Sequence, residues 1–235
     1  VQEILCDIGL AIIFGPAGLL AAYAQATTEG LDILPSNANY YYPPWRMRWR
    51  AMLKQYSAEH FLSLRANLEA ECAPPALEMY DAAAHVILEM RLASNREDDQ
   101  HTLRADRFIH ATYQQVNIDV VAGARYMIDA IPAAFPKWNN TADQLPATLS
   151  RLIAKAPPNE VMKVTEDGIH TVPAELPAIL VAAWMYESYY QKVRGTPTAD
   201  ALLTYDELCR IVLKSIEDTE TMKSWKRFNA ATQKS

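Results

Sequence analysis

The sequence predicts a mainly α-helical, multi-helix globular domain with one small β-hairpin near 161–172. Two observations carry that expectation. Half of the 235 residues are hydrophobic and only 7 are glycine, a composition that fits a folded, helix-rich chain. Apolar residues also recur at three-to-four spacing in successive stretches, and the period shortens to two only around Asp167-Gly168.

Taken in order, residues 8–24 carry no charge and read as a buried core helix bent or broken at Gly15-Pro16, too short and too rich in glycine to be a bilayer span. Residues 30–42 are punctuated by Gly, Pro, Ser and Asn and read as a loop. Pro43-Pro44 suits the first turn of a helix continuing to Tyr56, and Ser57 suits the cap of another that stops near Pro74-Pro75. Helical spacing resumes over 76–92, a charged connector follows at 94–100, and a long helix is expected over 103–131, ending at Pro132. Thr141-Ala-Asp-Gln144 has the capping-box pattern and predicts a helix to about Lys155. The hairpin, marginal alone, is expected to pack on the helices. An apolar helix over 173–190 follows, and Thr204-Tyr-Asp-Glu207 is a second capping box opening the last helix. The chain reads as one domain: 1–56 site-proximal helices and loop, 57–160 helical body, 161–222 hairpin and C-terminal helices, and 223–235 a frayed polar tail.

The formal charge of −6 argues against nucleic acid as a partner, because phosphate neutralisation needs a clustered positive surface. The densest basic stretch, Arg46, Arg48, Arg50 and Lys54 among Trp45 and Trp49, is short for such a footprint. Cys6, Cys72 and Cys209 are odd in number and far apart, as expected of reduced thiols in a cytoplasmic protein. Nothing in the pattern asks for a membrane. The first residue is not methionine, so the chain is expected to be a fragment, a processed product or a cut-down form. An apolar groove along the first helix, uncovered in such a piece, would favour a homo-oligomer or proteolytic trimming of the chain.

The most informative residues open the chain. Glu3 and Asp7 stand four apart at the head of an apolar run, so they share a helical face, repel each other and need a cation or a donor if buried. The plainer alternative is a first-turn acid favoured by the helix dipole, with Asp7 bonded to a neighbouring backbone group or arginine. His85 and Glu89 are also four apart and read as an exposed or core-edge pair.

Three segments together resemble the C-terminal part of a gluzincin-type zinc metallopeptidase. Glu3-Ile-Leu-Cys-Asp7 with Phe14-Gly-Pro-Ala17 is similar to the third-ligand helix and its sequel; Tyr42-Pro-Pro-Trp-Arg-Met-Arg48 is similar to a His-Pro-Pro-x-x-x-Arg segment, with tyrosine where that pattern has histidine; and Pro173-Ala-Glu-Leu-Pro-Ala-Ile179 with Ala183-Trp-Met-Tyr186 resembles a Pro-x-x-Ile…Ala-Gly-Trp segment. His-Glu-x-x-His does not occur in the chain. The resemblance implies hydrolysis of a peptide bond in a peptide or protein substrate by the parent protein, with zinc as cofactor. It assigns Glu3 as a metal ligand and Asp7 as acceptor for a ligand histidine. The two histidines and the general base would come from a His-Glu-x-x-His segment upstream, so no catalytic residue is expected in this chain, which alone would be metal-free. Arg48 is the candidate to neutralise Asp7 or Glu3 through a bidentate contact. Tyr42 and Trp45 are candidates to line a cleft, against a reading as core rim. The competing class is a helical scaffold or interaction module keeping such a fold without metal.

Overall fold

A charged residue inside an apolar helical stripe decides how the N-terminal helices pack. The computed structural model describes residues 2–29, 45–55, 58–95, 120, 122–126, 129–130 and 136–232, without the side chains of 2–3, 29, 46–47, 55, 58–62 and 95. Helix α1 spans Gln2–Phe14, α2 Pro16–Glu29 and α3 Trp45–Gln55. Ile4, Asp7, Ile8 and Ala11 of α1 are buried at helical spacing, so Asp7 sits within the apolar stripe. Trp45, Trp49 and Met52 form the matching buried face of α3. The three helices pack on one another, and Ile4, Ile8 and Ala51 join Val120 and Ala124 in one cluster.

The expected break at Gly15-Pro16 is present. Gly15 adopts φ 56°, the left-handed conformation that ends α1 without a side-chain penalty, and its N–H bonds the carbonyl of Ala11 at 2.9 Å. Pro16 then opens α2, where a missing N–H costs nothing. The turn brings α2 back so closely that a Cβ on Gly18 would lie 2.7 Å from the carbonyl oxygen of Leu10. Gly18→Ala is therefore expected to cost about 1–3 kcal/mol by forcing two backbones apart. Gly9→Ala, with nothing within 4 Å of the new carbon, should instead gain up to about 1 kcal/mol from helix propensity. Urea midpoints of the two variants should move in opposite directions.

Helices α4, Ala58–Glu71, and α5, Pro74–Asn95, are separated by a break at Cys72-Ala73, close to the expected stop, and Pro74-Pro75 belong to the first turn of α5. The starts expected at Pro43 and Ser57, and most of the helix expected over 103–131, lie outside the described residues. The chain divides into two compact units: Val1–His60 with Ala84–Phe135, and Phe61–Ala83 with Pro136–Ser235.

The second unit is built on α6, Leu145–Ile153, packed against α7, Leu176–Val193, with α9, Tyr205–Thr232, along α7 and a short α8, Pro197–Asp200, between them. Leu145, Leu149 and Leu152 of α6 and Ala178, Ala182 and Met185 of α7 are buried. The Tyr186 hydroxyl accepts a bond from Leu203 N–H at 2.8 Å, and burial pushes its pKa up. The capping box expected at Thr141 does not form. Two 3₁₀ turns occupy 138–144, the Thr141 hydroxyl donates to the Lys137 and Trp138 carbonyls, and the Gln144 amide oxygen accepts from Glu175 N–H at 2.7 Å. A tertiary partner has thus taken the side chain that the local motif needed. At its other end α6 closes in a Schellman motif, with Ala156 N–H to Arg151 carbonyl at 2.8 Å and Lys155 N–H to Leu152 carbonyl at 2.9 Å, and places Lys155 at φ 56° where glycine is usual.

Strands β1, Glu160–Thr165, and β2, Gly168–Pro173, form the expected antiparallel hairpin, turning at Glu166-Asp167. Its packing differs from expectation. Val161 is buried at the base, whereas Met162, Val164 and Ile169 are 77%, 81% and 70% exposed. The α6 and α9 helices meet the ribbon without covering its distal half.

At the start of α9 the second capping box is complete. Thr204 N–H and hydroxyl donate to Glu207 Oε2 at 2.9 and 2.8 Å, and Glu207 N–H returns a bond to the hydroxyl at 3.4 Å. Those bonds hold the Glu207 carboxyl below the usual glutamate range. A depressed folded pKa means stability that is present above the unfolded pKa and lost as pH falls through the folded one. Thr204→Ala should therefore melt lower than the parent at neutral pH, and the gap should narrow in acid, as read by thermal scans across that range. The tail expected to fray from 223 is helical to Thr232, because residues 224–232 contain neither glycine nor proline and extend a helix already nucleated by packing.

Candidate functional site

The site begins from the cost of burying a carboxylate. Asp7 has 6% of its side chain exposed, and Arg48, from α3, meets it with 12% exposed. Arg48 Nε donates to Asp7 Oδ2 at 2.7 Å and Nη2 to Oδ1 at 2.8 Å, a bidentate fork across 41 residues of sequence. Trp45, one turn earlier on α3 and buried, lies under the same guanidinium, with Arg48 Cζ 3.8 Å from the ring centroid. The acid therefore meets a cation whose plane is set from two sides. Lysine has no planar fork and would reproduce neither contact.

Trp49, fully buried on α3, stacks on Tyr23 of α2 with centroids 5.7 Å apart and planes at 22°, and its indole N–H has no hydrogen-bond partner among the described residues. The Tyr23 hydroxyl donates to Glu89 Oε2 at 3.2 Å; burial first, then the Glu89 charge, raises its pKa. His85 lies 3.3 Å from Glu89 as an exposed pair, in keeping with the reading of that spacing as structural. Arg50 donates to the Ser94 carbonyl. Two arginines of the basic stretch are thus engaged within their own unit.

Of the residues singled out by sequence, the structure brings Asp7, Arg48 and Trp45 together. Glu3 belongs to α1 one turn before Asp7, but its side chain lies outside the described residues, as does Tyr42. Trp45 is packed beneath the arginine. The link from Tyr23 to Glu89 and Trp49 had no signal in the sequence, since it joins residues 66 and 26 apart that carry no shared motif. Among the described residues no three His, Cys, Asp or Glu side chains converge on a point that could hold a metal ion, so these residues do not by themselves fit zinc. What the arrangement does is fix the orientation of a buried, charged hydrogen-bond acceptor on α1.

Comparison with protein-family models, with curated proteins and with solved structures yields no match.

Proposed function

We propose that this chain is part of a zinc-dependent metallopeptidase that hydrolyses peptide bonds, contributing Glu3 as one metal ligand and its helices as the body around the site. The observation that supports this reading is the buried carboxylate of Asp7, held rigid by Arg48 one helical turn after a second carboxylate in sequence. A carboxylate has about four acceptor positions, and a bidentate arginine occupies two, which leaves Asp7 able to receive an imidazole N–H. The remaining ligands, two histidines, and the general base belong in this proposal to a His-Glu-x-x-His segment outside the chain. Three free thiols support a cytoplasmic setting, and no helix among the described residues is long and apolar enough to cross a membrane.

The second reading is a helical scaffold without metal. The observation in its favour is that the Asp7–Arg48 pair is already charge-balanced and serves to pack α1 on α3. Zinc content of the protein carrying the upstream segment separates the two. The peptidase reading expects about one zinc per chain, retained on gel filtration, and its loss in Glu3→Gln. Zinc kept unchanged by that variant removes Glu3 as a ligand, and a metal-free parent protein supports the scaffold.

A further inference from the structure

Of the 7 glycines in the chain, Gly168 alone follows an aspartate, and none follows an asparagine. The carboxyl carbon of an aspartate is one five-membered ring closure away from the backbone nitrogen of the next residue, and glycine has no side chain to crowd that nitrogen. The fold places this pair at the tip of the hairpin. Asp167 is exposed in the turn; Gly168 is exposed at φ 122°, with nothing within 4 Å of the position a Cβ would take. Thr165 and Gly168 form the last pair of the ladder, and α6 and α9 leave that end of the ribbon uncovered. Backbone in such a place opens locally at little cost, so the closing geometry is reached without unfolding the unit. Three other exposed aspartates lack both advantages. Asp143, Asp200 and Asp206 stand in helical turns and are followed by Gln144, Ala201 and Glu207.

We propose that Asp167-Gly168 isomerises spontaneously to isoaspartate in the folded chain, which makes the hairpin tip a site of covalent modification that needs no enzyme. The Gly168 nitrogen adds to Asp167 Cγ, and the amide hydrogen and the carboxyl hydroxyl leave together as water, so an N–Cγ bond forms and a Cγ–O bond breaks. A second water then opens the cyclic imide. Where it breaks the original peptide bond, the backbone runs on through Cβ and Cγ and the former peptide carbonyl carbon becomes a free carboxylate; where it breaks the new bond, aspartate returns. Nothing is oxidised or reduced, and residue 167 keeps its mass and its negative charge. The turn is longer by one backbone atom, which draws Gly168 out of register with Thr165 and removes the bond from the Thr165 hydroxyl to the Gly168 carbonyl at 3.2 Å.

Prolonged incubation of the full chain in neutral buffer made with heavy-oxygen water tests this, because every opening of the imide leaves one labelled oxygen on residue 167. Peptide mass spectrometry should find the label at residue 167 ahead of Asp143, Asp200 and Asp206, together with a second chromatographic peak of the same peptide at the same composition. Hydroxylamine should trap the imide as a hydroxamate at that residue. Asp167→Glu keeps the charge but would have to close a six-membered ring, so label, second peak and hydroxamate should all be lost. A folded chain that takes up no more label at Asp167 than at the other three aspartates overturns the proposal. So does conversion that appears only when the chain is unfolded in urea.

Discussion

Arg48→Ala is expected to destabilise the folded chain by about 3–5 kcal/mol, because it leaves the Asp7 carboxylate buried without its charged partner. With 6% of the Asp7 side chain exposed, water cannot replace the two hydrogen bonds that are lost. Arg48→Lys should recover only part of that loss, since an ammonium offers neither the fork nor the flat face that rests on Trp45. The informative variant is the double change Asp7→Leu with Arg48→Met. Replacing a buried ion pair by apolar side chains of similar size is often neutral or stabilising, so the double variant should be more stable than Arg48→Ala. Urea unfolding followed by circular dichroism measures all three, and equal midpoints for Arg48→Ala and the parent would show that the pair contributes nothing.

Trp138→Ala is the second large effect, at about 3–5 kcal/mol, from the cavity left by a ring that is 1% exposed in the second unit. Its indole N–H has no hydrogen-bond partner among the described residues, and burying such a donor costs about 1–3 kcal/mol. Trp138→Phe removes that donor along with a smaller volume, so it should lose less than half as much as the alanine variant. If phenylalanine proves as damaging as alanine, lost volume does not decide the effect and the indole N–H has a partner.

The helical class, the hairpin and the break at Gly15 were legible because each rests on local physics: period, turn chemistry and a residue able to take a positive φ. The Asp7–Arg48 contact was legible for a different reason. A lone acid in an apolar stripe demands a partner, and Arg48 stood in the one dense basic stretch. Two capping boxes of the same pattern had opposite outcomes. Thr204 and Glu207 are exposed and bond each other, whereas Gln144 is buried and its amide was claimed by Glu175, 31 residues away. Local pattern cannot anticipate such a competitor. The length of α9 was missed because polar composition was read as fraying, although nothing in 224–232 breaks a helix. The hairpin's exposure was missed because its alternation on both strands resembles that of a half-covered sheet.

That exposure makes the ribbon a hazard as well as an ornament of the second unit. A two-stranded sheet has only edges, and Met162, Val164 and Ile169 lie on a single side of this one. Such a segment invites strands of other molecules to add to it, the opening step of amyloid-like growth. Lys163 interrupts the apolar sequence in β1 and two acids crown the turn, placing charge where an incoming strand would have to dock. The ribbon's solubility thus depends on three ionised side chains, and shielding or neutralising them should expose the chain to precipitation before its helices unfold.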